Sequence, residues 1–291
     1  MEYPVVVAAL DIGGTKIAGA LLRYAKAGQA PEVVYERQIP TDAKRGGGPV
    51  LVTVCDMANS LLAEARARRE DVLGIGVSTA GRVDAKTGGI AYANEIMPGW
   101  TGQPVRDRLE ESCEVPVSVL NDVQAHGLGE ARWGAARGAQ TCMMIAAGTG
   151  IGGAVIAHGK LVRGNHGFAG EIGHIACSQA VGIPCVCGGS GHLELVASGS
   201  GIEARYAEAG GEPVDGAEIS RRAAADEPLA HHIIMQAGIA LGEAIAGITV
   251  IINRIIAIIR MTYNLYFIMF HSIDYGRCIF FLATRFYTYI M

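Results

Sequence analysis

The feature that most constrains this chain is a pattern that occurs twice: an apolar run, a short glycine turn, and a second apolar run. The first copy is VVVAALDIGGTKIAGALL over 5–22, and the second is MMIAAGTGIGGAVIAHGKLV over 143–162. Apolar runs of this length, bounded by glycine, read as strands joined by tight turns. His158-Gly159 closes a further hairpin in the second copy. Two copies of one supersecondary unit predict a duplicated α/β architecture. A glycine turn at a strand end presents backbone N–H groups, and such groups cradle phosphate.

The intervening chain supplies the remaining elements. Residues 49–69 carry Leu51, Val54, Ala58, Leu61, Leu62 and Ala65 at helical spacing. The run over 72–78 reads as a buried strand, and STAGRVD after it as a turn. A helix is expected over 104–111, a strand over 115–120 ending at Asn121-Asp122, and a helix over 123–133. The expected division is a first lobe over 1–118 with one glycine turn, a second over 119–246 with the other, and an atypical tail over 247–291. That tail holds ten of the 18 aromatics, two of the 40 glycines and one acid, Asp274. Arg254, Arg260, His271, Asp274, Arg277 and Arg285 interrupt every apolar span of the ~20 residues a membrane helix needs. So no membrane partner is expected, and the abrupt change of composition is expected of a non-native ending.

The formal charge of −4 argues against a nucleic-acid partner, which usually demands a basic face. Seven cysteines, two of them in a tight Cys-x-Cys, read as reduced thiols and metal ligands rather than a disulfide frame. Neither a basic start nor a cleavage site accompanies Tyr3-Pro4, and a cytoplasmic location is the expectation.

Four groups of residues carry candidate chemistry. In Asp11-Ile12-Gly13-Gly14-Thr15-Lys16 the glycines bring backbone to a phosphate, Thr15 and Lys16 donate to it, and Asp11 holds a magnesium shell. The bland alternative is an ordinary hairpin. Gly148, Thr149, Gly150 and Gly152 form the matching second loop. Asp122 stands where a strand meets a helix, so it is either the helix N-cap or a base that accepts a hydroxyl proton during phosphoryl transfer. Finally, His174, Cys185, Cys187 and His192 offer two nitrogens and two sulfurs within one glycine-punctuated loop, a donor set for structural zinc. Cys177 is a rival ligand. Glu171 and Glu194 flank the cluster as solvated acids or as acceptors of sugar hydroxyls.

Together DIGGTK, STAGRVD, LNDVQAHGLGEARWG, GTGIGG, GEIGH and the cysteine loop followed by LELVASG closely resemble the ROK family of repressors and sugar kinases. The resemblance covers about 5–246. It implies an actin-like (ribonuclease-H-like) ATPase fold with two lobes and a central cleft, and an ATP-dependent kinase acting on a sugar 6-hydroxyl with ATP and magnesium. By resemblance Asp122 is the catalytic base, and Arg82, Asn94, Asn121, Glu171, His174 and Glu194 match sugar-contacting positions. His174 is implied to serve twice, with one ring nitrogen on the sugar and the other on zinc. Homodimers or homotetramers are implied as well. NEIMPGW and LNDVQAHGLGEARWG look like N-acetylmannosamine kinases, with glucokinase as the alternative and a catalytically impaired sugar-binding regulator as a further one. A family repressor is not expected, because only a few residues precede the first strand. Two features depart from the family pattern. His192 stands where the family loop usually ends in cysteine, and the family's strand, Gly-Gly turn and closing helices beyond about Ala246 are not legible.

Overall fold

The computed structural model describes residues 2–252, 255–261 and 266–271. Alternation starts the first sheet: in β1 (Val5–Ile12) Val6, Ala8, Leu10 and Ile12 are buried while the residues between them are not. β2 (Lys16–Tyr24) returns antiparallel with Ile12 opposite Ile17, and β3 (Glu32–Pro40) adds a further antiparallel strand. α1 (Gly47–Ala67) lays Val50, Val54, Ala58, Leu61 and Ala65 on this apolar face, a stripe at three- and four-residue spacing. β4 (Val72–Thr79) then pairs parallel with β1. After the small ribbon of β5 (Arg82–Val83) and β6 (Ile90–Tyr92), α2 (Val105–Cys113) packs on α1. β7 (Val117–Asn121) pairs parallel with β4 and runs straight into α3 (Asp122–Arg132). The strand order is β3-β2-β1-β4-β7.

The second glycine unit builds the second sheet in the same order. β8 (Cys142–Ala147), β9 (Ile151–Ala157) and β10 (Lys160–Val162) form an antiparallel meander. The chain continues through the cysteine loop into α4 (Glu194–Ala197), α5 (Gly199–Glu208), α6 (Gly216–Ala224) and the long α7 (Pro228–Ile252). β11 (Ile255–Met261) pairs parallel with β8, and β12 (Tyr266–His271) pairs antiparallel with β11, giving β10-β9-β8-β11-β12. The chain divides into two compact units, Met1–Trp133 with Arg163–Phe168, and Gly134–Val162 with Ala169–Met291. Leu10, Ile12, Leu61 and Trp100 belong to the core of the first; Met143, Ile145, Leu193 and Tyr206 to that of the second.

The structure corrects one sequence expectation. A strand does follow the helical region of the second unit, within the stretch where the family continuation was not legible. The isoleucine-rich composition hid it, because a short continuous apolar run cannot be told from a buried helix segment by periodicity alone. The change of composition at Gly247 also falls inside α7 rather than at an element boundary. The expected tail over 272–291 lies outside the described residues. Among the described residues α7 alone is long and apolar enough to cross a membrane by length and composition. Its buried residues Ala230, Ile233, Ala237, Leu241 and Ile245 pack toward α4, α5 and α6.

Trp100 is fully buried and donates from Nε1 to the Thr79 hydroxyl at 3.1 Å, just before the turn at Gly81. Trp100→Phe removes that donor and some packing volume. A loss of about 1–3 kcal/mol is expected, read as a lower melting midpoint by calorimetry. An unchanged midpoint would show that the contact carries no stability.

Candidate functional site

In the first unit the register of three parallel strands lines up the candidate residues. Asp11 lies opposite Ser78 and Ile12 opposite Thr79; Thr79 in turn lies opposite Asn121. The strands therefore end together, and their carboxyl ends are where open α/β sheets bind ligands. The Ser78 hydroxyl donates to Asp11 Oδ1 at 2.8 Å, so the exposed carboxylate is held in one orientation. The loop between β1 and β2 is closed by Gly13 N–H donating to Lys16 O at 3.0 Å. A Cβ on Gly14 would stand 2.4 Å from Ile96 Cγ2, so the exposed Ile96 side chain would have to move to admit one. Thr15 and Lys16 are exposed beside it.

The choice between cap and base at Asp122 turns on its neighbour. Asn121 is the N-cap of α3: its Oδ1 accepts from Val123 N–H at 3.0 Å and Gln124 N–H at 3.3 Å. Its Nδ2 donates to Gly81 O at 2.9 Å, pinning the turn that carries Arg82. With the cap supplied by Asn121, Asp122 is the first helical residue, and its carboxylate accepts from Val123 N–H at 2.9 Å, with its own N–H and the Asn121 side chain also against it. The side chain is exposed to solvent. Even so, crowding by protein above all pushes its carboxyl above the ordinary Asp range; the Val123 N–H works the other way, and the nearby Asp11 charge adds to the rise. The Arg82 guanidinium lies between two rings, 5.4 Å from the centroid of Tyr92 and 5.2 Å from that of Phe168. Asn94 accepts from Ile96 N–H at 3.2 Å and so shapes the NEIMPGW turn. Sequence reasoning missed Ser78, Phe168 and the buried Gln124, whose Nε2 donates to Gly167 O at 3.0 Å and ties the 163–168 segment to α3. A groove of about 650 Å³ lies over the small-residue face of this sheet. It meets the constellation only at Asp11 and Ser78, so the strand ends rather than the groove define the site.

In the second unit, residues 148–150 form the turn between β8 and β9, with Gly148 N–H donating to Gly150 O at 2.8 Å. Gly152, expected beside them, lies within β9 opposite Ala146. Glu194 Oε2 lies 3.2 Å from where a Cβ on Gly150 would sit, and Oε1 lies 3.1 Å from Cys185 Sγ and 3.5 Å from His174 Nδ1. The other ring nitrogen of His174 faces Glu171 at 4.0 Å.

The expected metal donors do come together. One donor atom each from His174, Cys185, Cys187 and His192 falls within 4.8 Å of all the others. Cys187 Sγ is 3.3 Å from His192 Nδ1, and Cys185 Sγ is 3.8 Å from His174 Nδ1. Ligands bonded to one tetrahedral zinc at 2.0–2.3 Å lie about 3.3–3.8 Å apart, so two sulfurs and two nitrogens here fit a soft divalent ion. Two bridges close the loop, Ala176 with His192 and Pro184 with Ser190, and Cys185 N–H donates to Gly189 O at 2.9 Å within the turn. Burial, chiefly, pushes the Cys185 thiol up to about 11. Cys177 is buried, donates its N–H to Gly191 O and stands outside the cluster.

The folded chain holds the Asp122 proton more tightly than the unfolded chain does, so ionisation there opposes folding once pH exceeds the unfolded value of ~3.9. Asp122→Asn is therefore expected to raise the melting midpoint at pH 7, with the two curves converging as pH falls toward ~4. A variant less stable than wild type at pH 7 would contradict the assigned direction.

Comparison with known proteins places this geometry. The ROK family pattern matches residues 7–261. The chain is 40% identical over 201 residues to a glucokinase of Halalkalibacterium halodurans, across 69% of this chain and 58% of that one. It thus spans less than two thirds of the length of that relative. It is 31% identical over 242 residues to an N-acetylmannosamine kinase of Escherichia coli, across 82% of this chain and 77% of the relative. Among solved structures, a ROK hexokinase from Thermus thermophilus superposes with a TM-score of 0.77 at 31% identity, covering 89% of this chain and 82% of that one. The two sheets of like strand order have the actin-like ATPase fold of these neighbours. On its sequence pattern, its strand order and its relatives alike, the chain belongs to the ROK family.

Proposed function

We propose that this chain is an ATP-dependent sugar kinase that transfers a phosphoryl group to the 6-hydroxyl of a hexose or N-acetylhexosamine, with N-acetylmannosamine the first candidate. The observation that carries the reading is the Asn121-Asp122 junction. There the helix cap is supplied by one residue, and the carboxylate of the next is left to accept a proton from an alcohol. Asp122 is the base, Asp11 holds the water shell of magnesium, and the amides of the two glycine loops receive phosphate. Arg82, Asn94, Glu171, His174 and Glu194 orient the sugar, while Asn121 fixes the helix start and the Gly81 turn. ATP with magnesium supplies the phosphoryl group and the charge neutralisation that its transfer needs. Glucose is the second candidate, favoured by the glucokinase relative that shares 40% of the aligned residues.

The test is ADP release with magnesium, ATP and a sugar panel. N-acetylmannosamine is expected to support turnover, and Asp122→Asn to lose about 10²–10⁴-fold in kcat while keeping sugar affinity. Turnover on glucose alone would move the chain to the second candidate. Sugar binding with no ADP from any sugar would replace catalysis by a regulatory role.

We assign zinc to the Cys/His cluster as a structural ion that orders the loop carrying His174 and Glu194. About one zinc per chain is expected in purified protein. Cys187→Ser should lower the zinc content and weaken sugar affinity with it. Active protein that contains no zinc by metal analysis would remove the assignment.

A further inference from the structure

The two glycine loops share a device that their glycines do not reveal. Thr41, directly after β3, is 1% exposed and donates twice to the first loop. Its hydroxyl donates to Gly13 O at 2.5 Å and its N–H donates to Thr15 O at 3.0 Å. Ser200, in the first turn of α5, does the same for the second loop. Its hydroxyl donates to Thr149 O at 2.6 Å and its N–H donates to the same oxygen at 3.3 Å, while Gly199 N–H donates to Gly148 O at 2.7 Å. Each loop is therefore held by its carbonyls, from a hydroxyl residue that approaches from behind.

Planarity makes that grip directional. In a trans peptide the C=O of one residue and the N–H of the next point to opposite sides of the chain. Tying Gly13 O turns Gly14 N–H away from Thr41; tying Gly148 O and Thr149 O turns Thr149 and Gly150 N–H away from α5. Those amides, Gly14, Thr149 and Gly150, donate to nothing among the described residues. The donors that a phosphate needs are thus the ones opposite the tied carbonyls.

We propose that Thr41 and Ser200 are positioning residues that aim the phosphate-binding amides of the two loops. The proposal rests on the phosphoryl-transfer reading above. It concerns polyphosphate and not the sugar, because neither hydroxyl touches Arg82, Glu171, His174 or Glu194 in any described contact. A misaimed amide costs affinity for the anion alone.

The experiment is calorimetric titration of wild type, Thr41→Val, Thr41→Ser and Ser200→Ala with MgADP, tripolyphosphate, adenosine and N-acetylmannosamine. Thr41→Val and Ser200→Ala are each expected to weaken MgADP and tripolyphosphate by about tenfold, and to leave adenosine and sugar within about twofold. Thr41→Ser keeps the hydroxyl and should restore binding. In turnover, KM for ATP should rise with KM for sugar unchanged. Because Thr41 is buried, its valine variant is checked by melting; if it does not fold, the exposed Ser200 carries the same comparison. Equal weakening of adenosine, sugar and polyphosphate would mark a purely structural role and overturn the proposal. Wild type that binds MgADP while both variants bind it equally well would overturn the brace and leave the kinase reading intact. Wild type that binds neither MgADP nor tripolyphosphate would overturn both.

Discussion

The parallel register of β1, β4 and β7 is the constraint on which the first unit's chemistry depends. Side chains alternate along a strand, so a shift of one residue in either pairing would send Asp11 or Ser78 to the opposite face. The observed pairing sets Asp11 against Ser78 and Thr79 against Asn121. The three strands therefore end together, and each hands the chain to a turn or helix at one end of the sheet. Asp11, the Gly81 turn and Asp122 are neighbours for that reason, although more than a hundred residues separate the first from the last. Packing enforces the register, since Ile12, Val77 and Val119 fill the core on the buried face.

Polar groups near these strand ends divide into those that build and those left to react. Asn121 spends its amide on the start of α3 and on Gly81 O. Ser78 spends its hydroxyl on Asp11, and Gln124 its amide on Gly167. Asp122 is the exception: its carboxylate meets N–H groups of the helix start and the Asn121 side chain, is exposed on one side, and is crowded by protein on the other. A carboxyl so placed titrates above its ordinary range, which suits a base that must bind a proton in passing. In the second unit Glu194 has the comparable position, shared among Cys185, His174 and the Gly150 turn. A metal held by the cysteine loop would thus fix the neighbours of that carboxylate.

Local signals carried much of this. The two strand–glycine–strand units, the strand over 72–79 and the helix at 47–67 are visible because each has its own period and its own breakers. The hairpin at His158-Gly159 is visible because both residues adopt positive φ, 51° and 69°, as a tight turn of that kind demands. The four metal donors were legible from residue type and loop length. What escaped has long-range or one-residue causes. Asn and Asp cap equally well, so sequence alone did not decide which of 121 and 122 closes the helix. Gly152 looked like a loop residue until strand pairing placed it opposite Ala146. Phe168 and Gln124 matter through a segment that returns from between β10 and the cysteine loop, and no local pattern encodes that return.

The fifth strand separates the two halves of the duplication. In the first unit a long connection through α2 lets β7 run parallel to β4, and its carboxyl end delivers Asn121-Asp122 beside Asp11. In the second, β11 and β12 are only four residues apart in sequence, a connection that permits antiparallel pairing alone. β12 therefore starts where β11 ends, with Tyr266 opposite Arg260, and among the described residues no strand-to-helix junction stands beside the Gly148–Gly150 turn. The described strands of the second unit thus offer no counterpart of Asp122. The second unit's acids come instead from the chain inserted after β10: Glu171 ahead of the cysteine loop, and Glu194 at the start of α4 directly behind it. A metal on the proposed Cys/His cluster would serve this half in a way the other does not require. A sheet end positions its residues by strand pairing, whereas an inserted loop with few strand bonds needs a cross-link of its own.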